Sequence, residues 1–412
     1  MKKIICPFCF HKFNKSEIWF RCENRICKGP DQTYPKNDEI LDNFWKQNLH
    51  IKHYPFHHGF SLLGSETAKC PACKEATHKV ICPECHNSLD REMLKYDSSI
   101  ISIIGGKSSG KTNYITVLIR ELSKKHHTFD ASFTVIQCGD LHDGDKLYAT
   151  AHRYEKDFYN KLYVGKEPHA GTAIASKENE IPLIYQLKIG ELSRGKGKGK
   201  SVFLVFYDTA GENFTSPEKI AEKALFFKNS AGIIFLLDTF GIDRVREKIG
   251  NVGSNTPYNY IFDNVLDYIR NRMNKQERDE FKKKPMALAF SKIDTVLNDD
   301  DYDISGLKMN MNSSFLTDRK LSLQDLSGMH KGINDAMRGV WDENQFLLNV
   351  RTHLGEKVMF FGFSALGEMP VNNKVQDIRP YRVLDPLVWI LHELGYPIPL
   401  KKEKAIKIEV KV

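Results

Sequence analysis

Residues 105–112, Gly-Gly-Lys-Ser-Ser-Gly-Lys-Thr, fit the spacing G-x-x-x-x-G-K-[ST] of a phosphate-binding loop. An apolar run at 100–104 precedes them and predicts a buried strand, and residues 113–125 predict a helix. The glycines let backbone N–H groups converge on phosphate oxygens, and the helix N-terminus adds partial positive charge. We expect Lys111 to reach the β- and γ-phosphates and the Thr112 hydroxyl to ligate Mg²⁺. The other residues of the expected cradle are Gly105, Gly106, Lys107, Ser108, Ser109 and Gly110.

A second motif, at the end of another predicted strand, indicates the same ligand. Val202–Tyr207 is fully apolar, and Asp208-Thr209-Ala210-Gly211 follows it directly. A carboxylate at the carboxyl end of a parallel strand, beside the phosphate-loop strand, is well placed to hold Mg²⁺ through water. We therefore expect Asp208 to be a magnesium ligand and the Gly211 N–H to bond the γ-phosphate.

Eight of the nine cysteines lie before residue 90 and form four close pairs. The pairs are Cys6 with Cys9, Cys22 with Cys27, Cys70 with Cys73, and Cys82 with Cys85. In a chain expected to be cytosolic, such clustering favours metal binding over disulfides. A C-x-x-C turn directs two thiolates at one tetrahedral ion, and two such turns leave no open position for a substrate. We therefore expect two structural zinc ions in two Cys₄ ribbons within residues 1–95.

The sequence leaves the pairing of cysteines around each zinc open. The first two pairs can share one ion and the last two the other, or the outer pairs can share one ion and the inner pairs the other. His50, His53, His57 and His58 lie between the pairs and are interpreted as packing or surface residues, because eight cysteines already complete two sites. Aromatic residues and lysines alternate here without a dense basic stripe, which favours a protein partner over nucleic acid.

The composition excludes several classes of protein. The chain has 412 residues, of which 41% are hydrophobic and 27% charged, as is typical of a globular protein with two or three domains. No run approaches the ~18 apolar residues of a membrane span, and the start does not resemble a secretory signal. We therefore expect a cytoplasmic protein. The net charge of +8 permits an anionic partner without requiring one.

Predicted strands and helices alternate through residues 99–395. This order predicts an α/β fold with a mostly parallel sheet, helices on both faces and active loops at the carboxyl ends of the strands. The main domain is expected at 96–400, after the small zinc-ribbon module, with insertions near 128–180 and 295–345. Alternating apolar and charged residues at 401–412 predict a terminal edge strand.

Four motifs follow predicted strands in a particular order: the phosphate loop at 105–112, DTAG at 208–211, SKID at 291–294 and SAL at 364–366. This order resembles that of Ras-like P-loop GTPases of the TRAFAC class. The resemblance covers about residues 99–395. It implies GTP as the ligand, because an adenine carries the wrong hydrogen-bonding groups for the SKID carboxylate.

The same resemblance implies roles in base recognition. Asp294 would accept hydrogen bonds from guanine N1 and N2, and the Lys292 stem would lie along the ring. The Ala365 N–H would bond guanine O6, within a loop that includes Ser364 and Leu366.

Two departures from the Ras-like pattern concern catalysis. Glu212 stands where these enzymes place a water-orienting glutamine, so hydrolysis is expected to be slow or to need help in trans. Lys107 replaces a glycine and either supplies positive charge or faces solvent. The first-switch threonine is assigned to Thr172, with Thr150 as the alternative. Lys111, Thr172 and Glu212 are thus the expected catalytic residues.

Zinc ribbons ahead of such a domain, together with the closing segment 382–389, resemble the bacterial double-GTPase family of conflict and defence systems. The resemblance implies a GTP-hydrolysing switch or assembly regulator that works with a protein partner in antiviral defence, and the sequence leaves open whether the chain forms a homo-oligomer. The alternative is a nucleotide-binding scaffold with little turnover, whose ribbons bind nucleic acid or a protein.

Overall fold

The computed structural model describes most of the chain. The described residues are 3–30, 37–46, 48–49, 53–57, 67–95, 97–106, 108–124, 131–135, 150–169, 182–189, 200–206, 220, 224–249, 257–297 and 320–403. Within these ranges, no helix is both long enough and apolar enough to cross a bilayer. The predicted terminal strand at 401–412 lies almost wholly outside them.

Short strands and two short helices form the ribbon module, residues 3–95. Its strands are β1 (Lys3–Ile5), β2 (Lys12–Asn14), β3 (Trp19–Arg21), β4 (Pro55–His57), β5 (Ala68–Lys69), β6 (Ala76–Thr77), β7 (Lys79–Ile81) and β8 (Ser88–Leu89). Its helices are α1 (Glu39–Trp45) and α2 (Glu92–Lys95). β1–β2 and β5–β6 are antiparallel hairpins, and a separate sheet has the order β4-β3-β7-β8. Strands of two or three residues bury little apolar surface, so such a module needs metal staples to fold.

The main domain is built on a seven-stranded sheet. Its strands are β9 (Asp97–Gly105), β10 (Ala131–Val135), β11 (Leu183–Ile189), β12 (Lys200–Phe206), β13 (Gly232–Asp238), β14 (Met286–Ser291) and β15 (Val358–Gly362). The order is β10-β11-β12-β9-β13-β14-β15. The five strands from β12 to β15 are parallel, and β10 and β11 add an antiparallel edge. The α/β prediction is confirmed.

Helices connect these strands and cover both faces of the sheet. They are α3 (Lys111–Ser123), α4 (Thr150–Arg153, continued as a π-helix over Tyr154–Val164), α5 (Ala224–Asn229), α6 (Asp243–Ile249), α7 (Tyr260–Arg272), α8 (Lys275–Lys282), α9 (Ile293–Leu297), α10 (Leu323–Arg338), α11 (Asn344–His353) and α12 (Asp385–Glu393). Helices α7 and α8 follow each other with only Met273 and Asn274 between them. Asn274 caps α8, because its side chain accepts the Glu277 N–H while the Glu277 carboxylate accepts the Asn274 N–H.

Helix α10 lies within the region that the sequence suggested was an insertion, yet it packs on β15, which is one of the two edge strands of the described sheet. Buried Leu326, Met329 and Ile333 repeat at helical spacing along it. The Phe360 N–H of β15 donates to His330 Nδ1 at 3.0 Å, and the Gly362 N–H approaches Met329 Sδ at 3.5 Å. Side chains of α10 therefore satisfy strand amides that would otherwise lie unpaired at the sheet edge.

The ribbon module is docked on the main domain through Phe10. The Phe10 ring meets Phe226 of α5 edge to face, with ring centroids 4.9 Å apart. The Asn229 side-chain amide donates to the Phe10 carbonyl at 2.6 Å. A second tie joins Lys188 of β11 to Glu92 of α2 at 2.7 Å.

Candidate functional site

The turn between β9 and α3 has the backbone shape of a phosphate cradle. Ser108 and Gly110 both have left-handed backbones, with φ of 67° and 74°. The Ser109 hydroxyl donates to the Gly106 carbonyl at 2.8 Å and so closes the turn. At Gly105 a Cβ atom would lie 2.5 Å from Ser109 Oγ, so a larger residue there would displace the hydroxyl that closes the turn.

Lys111 and Thr112 form the first turn of α3, which begins two residues earlier than the helix predicted at 113–125. The Lys111 side chain is buried at this end of the sheet. The Thr112 carbonyl accepts the Thr116 hydroxyl at 2.7 Å. Because α3 begins directly after Gly110, the N–H groups of its first turn lie at the cradle. Lys107, the remaining cradle residue, lies outside the described residues.

Lys292 joins the cradle to the base-side loop. Its left-handed backbone, with φ of 59°, turns the chain directly after β14. Its Nζ donates to the Ser108 carbonyl at 2.8 Å and to the Asp238 carboxylate oxygens at 2.9 and 3.0 Å. The ammonium also lies 4.7 Å from the centre of the Phe240 ring. These contacts fix the lysine in one position.

Asp294 presents a buried carboxylate at the carboxyl end of the parallel strands, where the phosphate cradle also lies. Only 4% of this residue is exposed, and its Oδ1 atom has no hydrogen-bond partner among the residues that the structure describes. Burial raises the pKa of Asp294, although hydrogen bonds from Ser364 and nearby backbone groups oppose the rise. An unpartnered buried acceptor is costly, so this oxygen fits a ligand that brings N–H donors.

The 364–366 loop follows β15 at this edge. Ser364 and Tyr381 exchange backbone hydrogen bonds at 3.1 and 2.8 Å, and the Ser364 hydroxyl accepts the Gly367 N–H at 2.8 Å. The Leu366 carbonyl accepts the Arg379 N–H at 2.9 Å. The loop is thus held rigidly beside Asp294, with Ala365 between the two anchored residues.

Several predicted residues lie outside the described part of the chain. They are Lys107, Thr172, Asp208, Gly211 and Glu212. The strand that leads to Asp208, β12, does lie beside β9 as the sequence predicts, with Val205 opposite Ser102. The alternative switch threonine, Thr150, is buried against β11, where its hydroxyl accepts the Ile184 N–H at 3.3 Å.

The eight clustered cysteines form two groups of four, and the structure selects the interleaved arrangement. One group is Cys6, Cys9, Cys82 and Cys85, and the other is Cys22, Cys27, Cys70 and Cys73. The closest Sγ pairs across each group are 3.6–3.8 Å apart. Four thiolates at about 2.3 Å from a tetrahedral zinc ion lie about 3.8 Å from one another. The donor set and its spacing therefore fit two structural zinc ions.

Three of the four cysteine pairs share one turn geometry. In each, the residue after the second cysteine has a left-handed backbone: Phe10, Lys74 and His86, with φ of 59°, 67° and 54°. The N–H of that residue donates to the carbonyl of the first cysteine at 2.9–3.1 Å. This turn therefore fixes the direction of the residue that follows each C-x-x-C pair. At Phe10 the turn directs the ring onto α5.

Sequence reasoning missed a buried ion network in the ribbon module. Asp38 accepts hydrogen bonds from Arg21 Nη2 at 2.7 Å and from His86 Nδ1 at 2.8 Å. Burial alone would raise the pKa of Asp38, but the His86 hydrogen bond and the Arg21 charge lower it below its ordinary value. Asp38 also caps α1, and His86 directly follows Cys85, so the network connects that helix to the Cys82–Cys85 turn. The only hint of this network in the sequence is His86, a polar residue that directly follows a C-x-x-C pair.

Comparisons with known proteins identify the family to which the main domain is similar. A family model described as Double-GTPase 2 matches residues 99–327. The chain is 24% identical over 350 residues to the "Putative ESX-1 scaffolding and assembly protein SaeC" of Mycolicibacterium smegmatis, which covers 79% of this chain and 84% of that protein.

Similar solved structures are much more distant. The S. cerevisiae Ski7 GTPase-like domain bound to GTP matches with 11% identity and a TM-score of 0.29, over 74% of this chain and 51% of that one. The SRb-GTP/SRX complex from Chaetomium thermophilum matches with 16% identity and a TM-score of 0.28, over 66% and 93%. The chain thus spans about half the length of the Ski7 chain that it matches.

Proposed function

This chain belongs to the Double-GTPase 2 family and carries its GTP-binding domain, and we propose that it hydrolyses GTP with Mg²⁺ to regulate the assembly of protein partners. The unpartnered Oδ1 of Asp294, on the same side of the sheet as the phosphate cradle, carries the proposal of guanine specificity. Guanine offers N–H donors at N1 and N2. Adenine has an unprotonated N1 and no group at C2, so it would leave the buried carboxylate unsatisfied.

The residues around the cradle support phosphoryl transfer. The backbone amides of residues 108–110 and the Lys111 ammonium would stabilise negative charge on the transferring group. Thr112 and Asp208 supply oxygen atoms, the ligand type that Mg²⁺ prefers, and the ion would neutralise charge between the β- and γ-phosphates. Glu212 stands where a neutral side chain would orient the attacking water, so we expect a cation from a partner to complete the site.

The ribbon module supports an assembly role. Each Cys₄ group would supply all four ligands of a tetrahedral zinc ion, which leaves no open position for a substrate. The role of these groups is therefore to hold the fold of the ribbon module, whose surface is available to protein partners. The name of the mycobacterial relative describes scaffolding and assembly for ESX-1. We propose a related role for this chain, as a switch within a multi-protein system, and favour that role over antiviral defence.

A phosphate-release assay on the purified full chain tests the enzyme proposal. We expect release from GTP well above that from ATP, and none above background for Lys111→Ala. Tight GTP binding without release above the Lys111→Ala control would overturn it and favour the nucleotide-binding scaffold. Use of ATP as readily as GTP would overturn the assignment of Asp294.

A further inference from the structure

One short segment, residues 165–169, contacts two separate parts of the nucleotide site. We call it the bridge segment, Gly165-Lys166-Glu167-Pro168-His169, and it directly follows the π-helix of α4. Its last residue is bonded to α3, one position after the expected magnesium ligand. Its first residues are bonded to the chain that leaves the 364–366 loop.

On the phosphate side, the contact is made by Asn113. Its Oδ1 accepts the His169 N–H at 3.0 Å, and its Nδ2 donates to the His169 carbonyl at 3.3 Å. The amide side chain thus pairs with the bridge backbone as a neighbouring strand would. Asparagine and glutamine are the neutral side chains that offer both a carbonyl acceptor and an N–H donor in this way. Asn113 follows Thr112 and is itself buried, so the anchor sits on the first turn of α3.

On the base side, the contact is made by a tight hairpin at 371–374. Val371 and Lys374 exchange backbone hydrogen bonds at 2.9 and 3.0 Å, and both residues between them have left-handed backbones. This is the type I′ geometry that asparagine favours. The Val375 N–H then donates to the Lys166 carbonyl at 2.9 Å, and Lys374 Nζ donates to the Gly165 carbonyl at 2.9 Å.

We propose that Asn113 is a positioning residue that, through the bridge segment, couples the phosphate half of the site to the base half. The inference rests on the proposed GTP-binding function. Neither Asn113 nor the hairpin needs to touch the nucleotide. If the bridge segment couples the two halves, a substitution that breaks its contacts at one end also destabilises the contacts at the other end. Breaking the contacts at both ends should then speed nucleotide release little more than breaking them at one end.

A double-mutant cycle on the full chain tests this coupling through the release rate of a fluorescent GDP. Asn113→Ala removes both amide bonds, and Val375→Pro removes the N–H donor at the other end. From the usual cost of one or two hydrogen bonds, we expect release about tenfold faster for Asn113→Ala and about fivefold faster for Val375→Pro. The double variant should stay near tenfold, because residues in one network are not additive. Lys374→Ala is a milder second probe of the hairpin. Lys374→Ala also removes an ion pair with Glu167, and Lys357→Ala is its matched control, since it removes an ion pair with Glu393 and should leave release unchanged.

Amide hydrogen exchange without nucleotide provides an independent readout. Asn113→Ala should speed exchange in peptides that cover residues 371–376, and Lys374→Ala should speed exchange in peptides that cover the first turn of α3, at the far end of the bridge segment. Release rates that multiply to about fiftyfold, or exchange that changes only beside each substitution, would overturn the coupling. Failure of the wild type to bind guanine nucleotide would overturn the proposed function alone, since the exchange experiment still decides the coupling.

Discussion

Lys292 Nζ lies 2.9 and 3.0 Å from the two carboxylate oxygens of Asp238. Asp238 ends β13, Lys292 directly follows the neighbouring parallel strand β14, and the same ammonium also bonds the Ser108 carbonyl. Asp238 therefore determines where the lysine sits between the phosphate cradle and the expected base position.

Asp238→Ala should release this lysine and weaken guanine nucleotide binding. Because a hydrogen bond to a charged group is lost, we expect affinity for GDP to fall about tenfold or more. Equilibrium titration with a fluorescent GDP measures it. Asp243→Ala is the matched control, since that carboxylate pairs with Arg246 at the surface. Equal affinity in the Asp238 variant and the wild type would show that Lys292 needs no anchor.

Asp294→Asn should change which purine the site accepts. The asparagine amide can turn its N–H₂ toward the base, which suits xanthine, whose C2 carries a carbonyl oxygen. We expect GTP affinity to fall by about 100-fold or more and XTP affinity to rise, as expected when a buried polar group loses or gains its partner. Competition of GTP and XTP against a fluorescent nucleotide measures both effects. A parallel loss for both nucleotides would indicate that Asp294 supports the fold and does not read the base.

Zinc content can test the interleaved pairing directly. The wild type should carry two zinc ions by native mass spectrometry. Cys9→Ser with Cys82→Ser damages one group, so one ion should remain. Cys9→Ser with Cys22→Ser damages both groups, so none should remain. Sequential pairing predicts the reverse for the two double variants, which makes each the control of the other.

Acid should destabilise the main domain through His330. Burial lowers the pKa of His330 to about 4, and its Nδ1 accepts the Phe360 N–H, which requires a neutral ring. The neutral form is favoured in the folded state. The contribution of His330 to the free energy of unfolding is therefore complete above the unfolded pKa near 6.5. It is lost as the pH falls from there towards 4, and the total loss is about 3 kcal/mol.

Urea unfolding between pH 7 and pH 4 measures this loss. His330→Asn keeps an acceptor for the Phe360 amide and removes the titrating ring, so its stability should depend less steeply on pH. His152→Gln, at an exposed position of α4, should retain the wild-type slope. A wild-type slope in His330→Asn would place the acid sensitivity elsewhere.

The sheet could be predicted because its parallel strands are continuous apolar runs, such as Gly232–Asp238, that end in polar motifs. The pairing of cysteines could not, since all three C-x-x-C turns look alike in sequence. Asn113 and His169 are 56 residues apart, and nothing local marks an asparagine that pairs with a distant backbone. Helix α10 was obscured by the polar residues around it, although its buried face repeats with helical spacing.

The central claim is that this site selects guanine through Asp294 beside a phosphate cradle. Competition of GTP and ATP for the purified full chain, measured against a fluorescent GDP with Mg²⁺ present, tests it most directly. We expect GTP to compete at least about 100-fold better than ATP, because a buried acceptor left unpaired costs that much in discrimination. Equal competition by ATP, or no displacement by GTP, would contradict the account.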